Sequence, residues 1–428
     1  MTDRFTYTVF ASSLHDADAV ASLTAPVRAA LDGLGGRAVG DVPADDPAHL
    51  DLAHLDLPHL EVVGTGGTER MLLDAIERRR VVRGAEPQIL VAHRAHNSLP
   101  AALETLAAIQ QQGGRGRIVF VDDVGDLAEL DEAIGDLAAA RRLARSRLGI
   151  IGGPSSWLVG SIADASVVRR RFGVELVTVE PTRMIELTRV PVVPTGVLAE
   201  RFTKVADPVR STVPTSDVAD AMGVRSALAD VVDDHQLDAV TVRCFDLLGD
   251  PGTSGCLALA SMNDDGIVAG CEGDVPSALA MLLVRELLGQ PAWMANPASV
   301  DVRTNRLVLA HCTVAPSMIE GFALDTHFES GRGVGISGTF AEQPVTLLRL
   351  GGRDLDECWI VEGDIVATGD DPDLCRTQVT VELSSGDVGE LLQRPLGNHL
   401  VLASGHHAVR LRRWWNMMIA GAAEATIS

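Results

Sequence analysis

Positive charge is scarce in this 428-residue chain. There are 36 basic residues against 58 acidic ones, a formal net charge of −22, and Lys204 is the single lysine. A surface this acidic repels phosphate backbones and anionic membranes and attracts cations, so no nucleic-acid or membrane partner is expected. No apolar run approaches the ~20 residues that span a bilayer. Met1–Phe5 shows no basic segment leading into an apolar one, so no signal peptide is expected either. The six cysteines include no C-x-x-C pair, which argues against a zinc ribbon or a thioredoxin-type site. Reduced, buried thiols in a cytoplasmic protein are the expectation. The phosphate-binding G-K-[ST] loop is also missing.

What is present is a globular composition, 46% apolar, long enough for two or three domains. The first half alternates β-branched runs with amphipathic stretches. Strands are expected at Tyr7–Ser12, Leu60–Gly64, Gln88–Ala92 and Arg117–Val121, with helices at Glu69–Arg80 and Ala101–Gln112. Ala138–Arg147 reads as a connecting helix. A second βα series follows: strands at Leu148–Ile151, Val174–Val179, Ala239–Arg243 and Ile267–Cys271, and helices at Ser216–His235 and Pro276–Leu288. This rhythm implies parallel sheets. After Leu288 the texture changes to short alternating runs, at Arg306–Ala310, Gly333–Thr339, Val345–Leu350, Cys358–Val361 and Thr377–Leu383, parted by Gly, Asp and Pro. That is the pattern of an antiparallel sheet or barrel. A last helix is expected near Ala408–Ala420. The expected order is residues 1–146 and 147–268 as two Rossmann-like α/β domains, then 269–428 as a β-barrel-like domain.

Several stretches could carry chemistry. Thr65, Gly66 and Gly67 follow a strand and open a helix, where backbone N–H groups bind anions; the alternative is a tight turn. In Cys271-Glu272-Gly273-Asp274, two carboxylates flank a glycine at a strand's carboxyl end, the edge where α/β sheets bind ligands. Asp274 is equally placed to cap the next helix. Asp246 and His311 also follow strand ends, and His399 lies in a histidine-rich turn with His406 and His407. Carboxylates with one or two imidazoles suit Mn²⁺, Co²⁺ or Mg²⁺ better than a thiolate-bound metal.

Taken together these segments resemble the L-fucose/L-arabinose isomerase superfamily. The similarity is carried by R-C-F-D-L, by G-C-L-A-L-A-S-M-N-D-D-G-I-V-A-G-C-E-G-D-V-P-S-A-L-A-M-L-L, and by H-C-T-V-A-P, G-R-G-V-G-I-S-G-T-F, V-T-L-L-R-L and L-G-N-H-L-V-L-A-S-G-H-H. T-G-G-T-E and H-N-S-L-P-A-A-L-E extend it towards the N-terminus. The resemblance implies two α/β domains and a barrel, and a Mn²⁺-like ion held by Asp246, Asp274 and His399. Asp246 and Asp274 would double as acid/base groups, with Glu272 as the next candidate. His311 would be a ligand or a substrate contact. Asp246 departs from the glutamate expected at its position, so it acts at shorter reach or through water, or Glu272 replaces it. The loops with Thr65, Gly66, Gly67, His93, His96 and Asn97 would contact sugar hydroxyls, and a hexameric or trimer-based homo-oligomer is implied.

The implied reaction is aldose–ketose isomerisation by an enediol proton transfer, with a hydride shift as the other route. L-Fucose, D-arabinose and L-arabinose are the substrates the resemblance suggests. An anionic sugar such as sulfoquinovose would need an arginine such as Arg94, Arg349 or Arg353, or a helix N-terminus, beside its tail. The competing reading is a sugar-binding or regulatory protein that kept the fold and lost turnover.

Overall fold

The computed structural model describes residues 3–42, 56–84, 86–121, 127–189 and 195–419. They form two compact units, one running to Arg141 and resuming at Arg413, the other Arg142–Arg412.

The first unit is an α/β layer. Strands β1 (Phe5–Phe10), β2 (Gly36–Val42), β3 (His59–Val63), β4 (Gln88–Ala92) and β5 (Gly116–Phe120) are all parallel, in the order β2-β1-β3-β4-β5. Helices α1 (Ala17–Gly33), α2 (Glu69–Arg83), α3 (Ser98–Gln111) and α4 (Leu127–Arg145) alternate with them. Every residue of β1 and of β3 is buried, as expected of strands covered on both faces. The chain reverses its winding at β1, so the loops after β1 and β3 flank a switch point, where such sheets open a crevice. Most of the His/Asp/Leu-rich stretch Pro47–Leu60 lies outside the described residues.

The second unit opens with another parallel sheet. Strands β6 (Arg147–Ile151), β7 (Glu175–Val179), β8 (Ala239–Val242) and β9 (Val268–Cys271) run in the order β7-β6-β8-β9. Its helices are α5 (Ala165–Phe172), α6 (Pro181–Thr188), α7 (Thr195–Val205), α8 (Thr215–His235), α9 (Cys256–Asp264) and α10 (Val275–Leu288). The remaining strands are β10 (Trp293–Asp301), β11 (Arg306–His311), β12 (Gly321–Asp325), β13 (Gly335–Thr339), β14 (Pro344–Gly351), β15 (Glu357–Thr368), β16 (Thr377–Leu383) and β17 (Leu400–Ser404). Six of them close an antiparallel barrel, β10-β11-β16-β15-β14-β17, and β12 pairs with β13 beside it. Closure leaves no exposed strand edge. Parallel sheets followed by an antiparallel barrel are the architecture that the sequence rhythm implies.

One apolar core runs through the second unit. Phe202 of α7, Met222 of α8 and Leu257 of α9 join Trp293, Leu309, Leu347, Val379 and Leu402 of the barrel. Period-two alternation places Leu307 and Leu309 on one face of β11, with His311 in phase with them at the strand's end. The barrel core therefore aims that histidine. Among the described residues no helix is long and apolar enough to cross a membrane.

Leu347 is wholly buried in this core. Leu347→Ala should lower the unfolding free energy by about 2–5 kcal/mol, read from urea denaturation. A loss under about 1 kcal/mol would mean that the barrel is not closely packed at this layer.

Candidate functional site

In the second unit a cavity of about 490 Å³ lies where the carboxyl ends of β8 and β9 face the ends of barrel strands. Glu272 is the first residue past β9. Its φ is +62°, and Gly273 after it has φ +72°. A Cβ on Gly273 would stand 2.2 Å from the Gly153 carbonyl oxygen, so only glycine fits. The Ser155 N–H donates to the Glu272 carbonyl at 2.8 Å, and the Trp157 Nε1–H donates to Glu272 Oε2 at 2.6 Å. The loop 152–157 thus fixes both backbone and carboxylate of Glu272.

Glu272 meets two histidines. Glu272, His311 and His399 each offer one ligand atom, and the three atoms lie within 4.8 Å of one another, all on buried side chains. The Nδ1 of His311 is 2.9 Å from the Thr313 hydroxyl, leaving its Nε2 for the site. His399 is wholly buried and donates from Nδ1 to Asp274 Oδ2 at 2.9 Å. Its Nε2 is buried, 3.6 Å from Glu272 Oε1, and makes no hydrogen bond. A buried nitrogen without a hydrogen bond is costly unless something else binds there, and an O/N/N set fits a divalent cation such as Mn²⁺ or Co²⁺.

Asp274 does other work. Its Oδ1 accepts from the Ser277 N–H, capping α10, and its Oδ2 accepts from the Ser277 hydroxyl, Arg349 Nη1 and His399 Nδ1, each at 2.9 Å. Its carboxylate is therefore fully engaged and outside the Glu272, His311 and His399 trio. Arg349 is buried as well. It donates to Asp274, to the Ser277 and Ser161 hydroxyls and to the Leu396 carbonyl, which uses four of its five N–H donors. Asp246 also stays outside the trio. It sits in a short 3₁₀ turn and takes a fork from Arg243, with Nε and Nη2 both at 2.7 Å, while its neighbour Phe245 lines the cavity.

The charges follow from these contacts. Burial raises the Asp274 carboxyl, but Arg349 and His399 outweigh it and hold the group well below the usual carboxylate range. Burial also raises Glu272, and His399 and Trp157 bring it below its ordinary value. His399 is pushed down by burial but raised overall to about 9 by Asp274 and Glu272. His311, desolvated and facing the His399 charge, falls to about 4 and stays neutral.

The rest of the wall is aromatic and sulfur-rich. Trp157 and Phe245 meet edge to face at 5.0 Å, and Phe245 and His327 at 5.4 Å. Five of the six cysteines line the cavity, all as free thiols, and the Cys244 and Cys271 sulfurs are 2.9 Å apart. The sequence reading had not singled out Trp157, His327 or Glu329. Trp157 and His327 belong to loops with no periodic signal.

The other predicted residues gather at the carboxyl edge of the first unit's sheet. Thr65 accepts the Ser12 N–H at 2.8 Å, and the Gly66 N–H donates to the His96 carbonyl at 2.7 Å. A Cβ on Gly66 would stand 2.8 Å from Asn97 Cβ, and Gly67 has φ +75°. His93 donates from Nε2 to the Gly64 carbonyl and accepts the Ala95 N–H at Nδ1, so both ring nitrogens are used in joining the loops. His96 and Asn97 are exposed, both with positive φ.

No protein-family model matches the chain. Among curated proteins it is similar to the sulfoquinovose isomerase of Priestia megaterium, 26% identical over 207 residues, which is 44% of each chain. It is 36% identical over 90 residues to the sulfoquinovose isomerase of Clostridium sp. (strain MSTE9), 21% of this chain and 20% of that one. The protein of that name from Alkalicoccus urumqiensis is 24% identical over 198 residues. The matched segment spans less than half the length of these relatives.

Two outcomes test this electrostatic arrangement. The folded pKa of His399 lies above its unfolded value of about 6.5, so its contribution is complete below about pH 6.5 and is lost as pH rises through about 9. Thermal melts of the chelator-treated protein should show a loss of about 3 kcal/mol over that window. A His399→Gln variant should lack that pH dependence, and its persistence there would assign it to another group. Asp274→Asn should cost about 3–5 kcal/mol, because Arg349 is left buried without its counter-charge. An unchanged urea midpoint would rule that role out.

Proposed function

We propose that the chain is a divalent-metal-dependent aldose–ketose isomerase acting on a monosaccharide, with an anionic sugar of the sulfoquinovose kind as substrate. One observation carries this reading: the buried Nε2 of His399, which makes no hydrogen bond, converges with Glu272 and His311, and those two line a sugar-sized cavity. The substrate class rests on the names of the relatives, and the superfamily resemblance points to the same chemistry.

In this reading Glu272, His311 and His399 hold the ion. A bound divalent cation polarises the sugar carbonyl and offsets the charge of the enediolate. Asp274 is a positioning residue: it fixes which His399 nitrogen carries the proton and so turns Nε2 towards the site. Asp246 neutralises Arg243. The rings of Trp157, Phe245 and Phe328 offer apolar faces to the C–H side of a sugar. A cytoplasmic homo-oligomer belongs to the same proposal.

A second reading is a sugar-binding protein without turnover. It is favoured by the placement of Asp246, the expected carboxylate, against Arg243 while Phe245 takes the cavity wall.

The protein loaded with Mn²⁺ should convert one sugar of a panel of neutral pentoses, 6-deoxyhexoses and sulfoquinovose to its ketose, followed by NMR. EDTA should abolish conversion and Mn²⁺ restore it. Glu272→Gln should lose bound metal and activity together. Full metal content in that variant would remove Glu272 from the ligand set, and metal-replete protein inert on every sugar would favour the binding reading.

A further inference from the structure

Each of the two histidines in the trio has its free nitrogen set by a partner behind it. His399 Nδ1 is held by Asp274 at 2.9 Å, and His311 Nδ1 lies 2.9 Å from the Thr313 hydroxyl. A carboxylate needs the same service, because its two oxygens are equivalent until something occupies one of them. For Glu272 that partner is Trp157. The indole N–H donates to Oε2 at 2.6 Å, and among the described residues no second donor hydrogen-bonds this carboxylate. Oε1 is left facing His399 Nε2 at 3.6 Å.

Burial does not explain where the indole sits. A tryptophan N–H takes a protein partner when its ring is buried, yet Trp157 is 49% exposed and its N–H could be served by water. It is spent instead on a buried carboxylate. The loop that carries the ring is fastened on both arms of the site. The Ser155 N–H donates to the Glu272 carbonyl at 2.8 Å, and the Leu158 N–H donates to the Ser155 carbonyl at 3.0 Å, with the Leu158 side chain buried. The Ser161 hydroxyl accepts from Arg349 Nη2 at 2.7 Å, and Arg349 also holds Asp274. One loop therefore reaches Glu272 directly and His399 through Arg349 and Asp274. Its indole ring meets Phe245 edge to face at 5.0 Å on the cavity wall.

We propose that Trp157 is a positioning residue of the metal site: by occupying Oε2 of Glu272 it reserves Oε1 for a divalent cation and so sets the affinity of the site for that ion. This rests on the metal-dependent reading above. The donor is neutral, which matters. Asp246, outside the trio, takes two donors and a full positive charge from Arg243. Trp157 fixes the direction of Glu272 and leaves its negative charge for the ion. Without the N–H the carboxylate turns about its side chain, and the ion must order it on binding.

The test measures Mn²⁺ binding to the chelator-stripped protein by isothermal titration calorimetry, for wild type and Trp157→Phe. Phenylalanine keeps an aromatic ring beside Phe245 and removes the N–H. The dissociation constant for Mn²⁺ should rise about 10–100-fold, while the urea midpoint of the metal-free protein stays at the wild-type value. An affinity within about threefold of wild type would overturn the proposal. A urea midpoint that falls together with the affinity would also overturn it, since Trp157 would then be holding the fold. The hydrogen bond has its own readout in the indole ¹⁵N–¹H spectrum of the metal-free protein. One indole proton should lie downfield and exchange slowly with water, and Glu272→Ala should move it upfield and speed its exchange. Indole protons that are all indifferent to Glu272→Ala would remove the hydrogen bond and the proposal with it. Wild-type protein that binds no Mn²⁺ overturns the metal-dependent reading itself, whereas Mn²⁺ bound equally by wild type and Trp157→Phe overturns this proposal alone.

Discussion

The site depends on a charge cluster sealed inside the second unit. Asp274, Arg349 and His399 are all at or near zero exposure, and each belongs to a different part of the chain: the start of α10, barrel strand β14 and the approach to β17. Burying such ions costs several kcal/mol each, and an apolar set of equal volume would often be as stable. What the cluster supplies is orientation. Asp274 can accept but not donate, so His399 must present its Nδ1 proton to it and turn Nε2 the other way. Gly397 shows how tightly the cluster is packed: a Cβ there would stand 2.2 Å from Arg349 Nη2.

A second constraint is the bend at Glu272. A non-glycine residue at φ +62° costs on the order of 1–3 kcal/mol and persists only where its surroundings insist on it. Here they are the Ser155 and Trp157 hydrogen bonds and the contact of Gly273 with Gly153. The bend separates two carboxylates that lie two residues apart. Asp274 goes to the helix cap and the arginine, and Glu272 goes to the cavity.

Much of the frame was legible. Fully buried strands show as unbroken apolar runs, and β4 and β16 take the bounds that their sequences suggest, Gln88–Ala92 and Thr377–Leu383. The short runs after Leu288 show as an antiparallel sheet or barrel, and the pairing of β10 with β17 is what closes them into a barrel. Less legible were α1, whose helical stretch contains Pro26, and β2, which begins with glycine. Arg349 read as a free arginine able to meet an anion, yet it is an interior counter-ion. Nothing in V-T-L-L-R-L separates those two fates, because the distinction lies in Asp274, 75 residues away.

The sequence by itself determined the layers, their order and the short list of residues able to do chemistry, because periodicity and residue type are local properties. It also placed Glu272, Asp274, His311 and His399 on that list together. Only the tertiary structure decided their parts. Which of two carboxylates flanking Gly273 caps a helix and which faces a cavity depends on one backbone bend and on partners brought in from β14 and the approach to β17. The histidine nitrogen that remains free likewise depends on where the distant carboxylate stands. These are relations between segments far apart in the chain, and no local pattern encodes them.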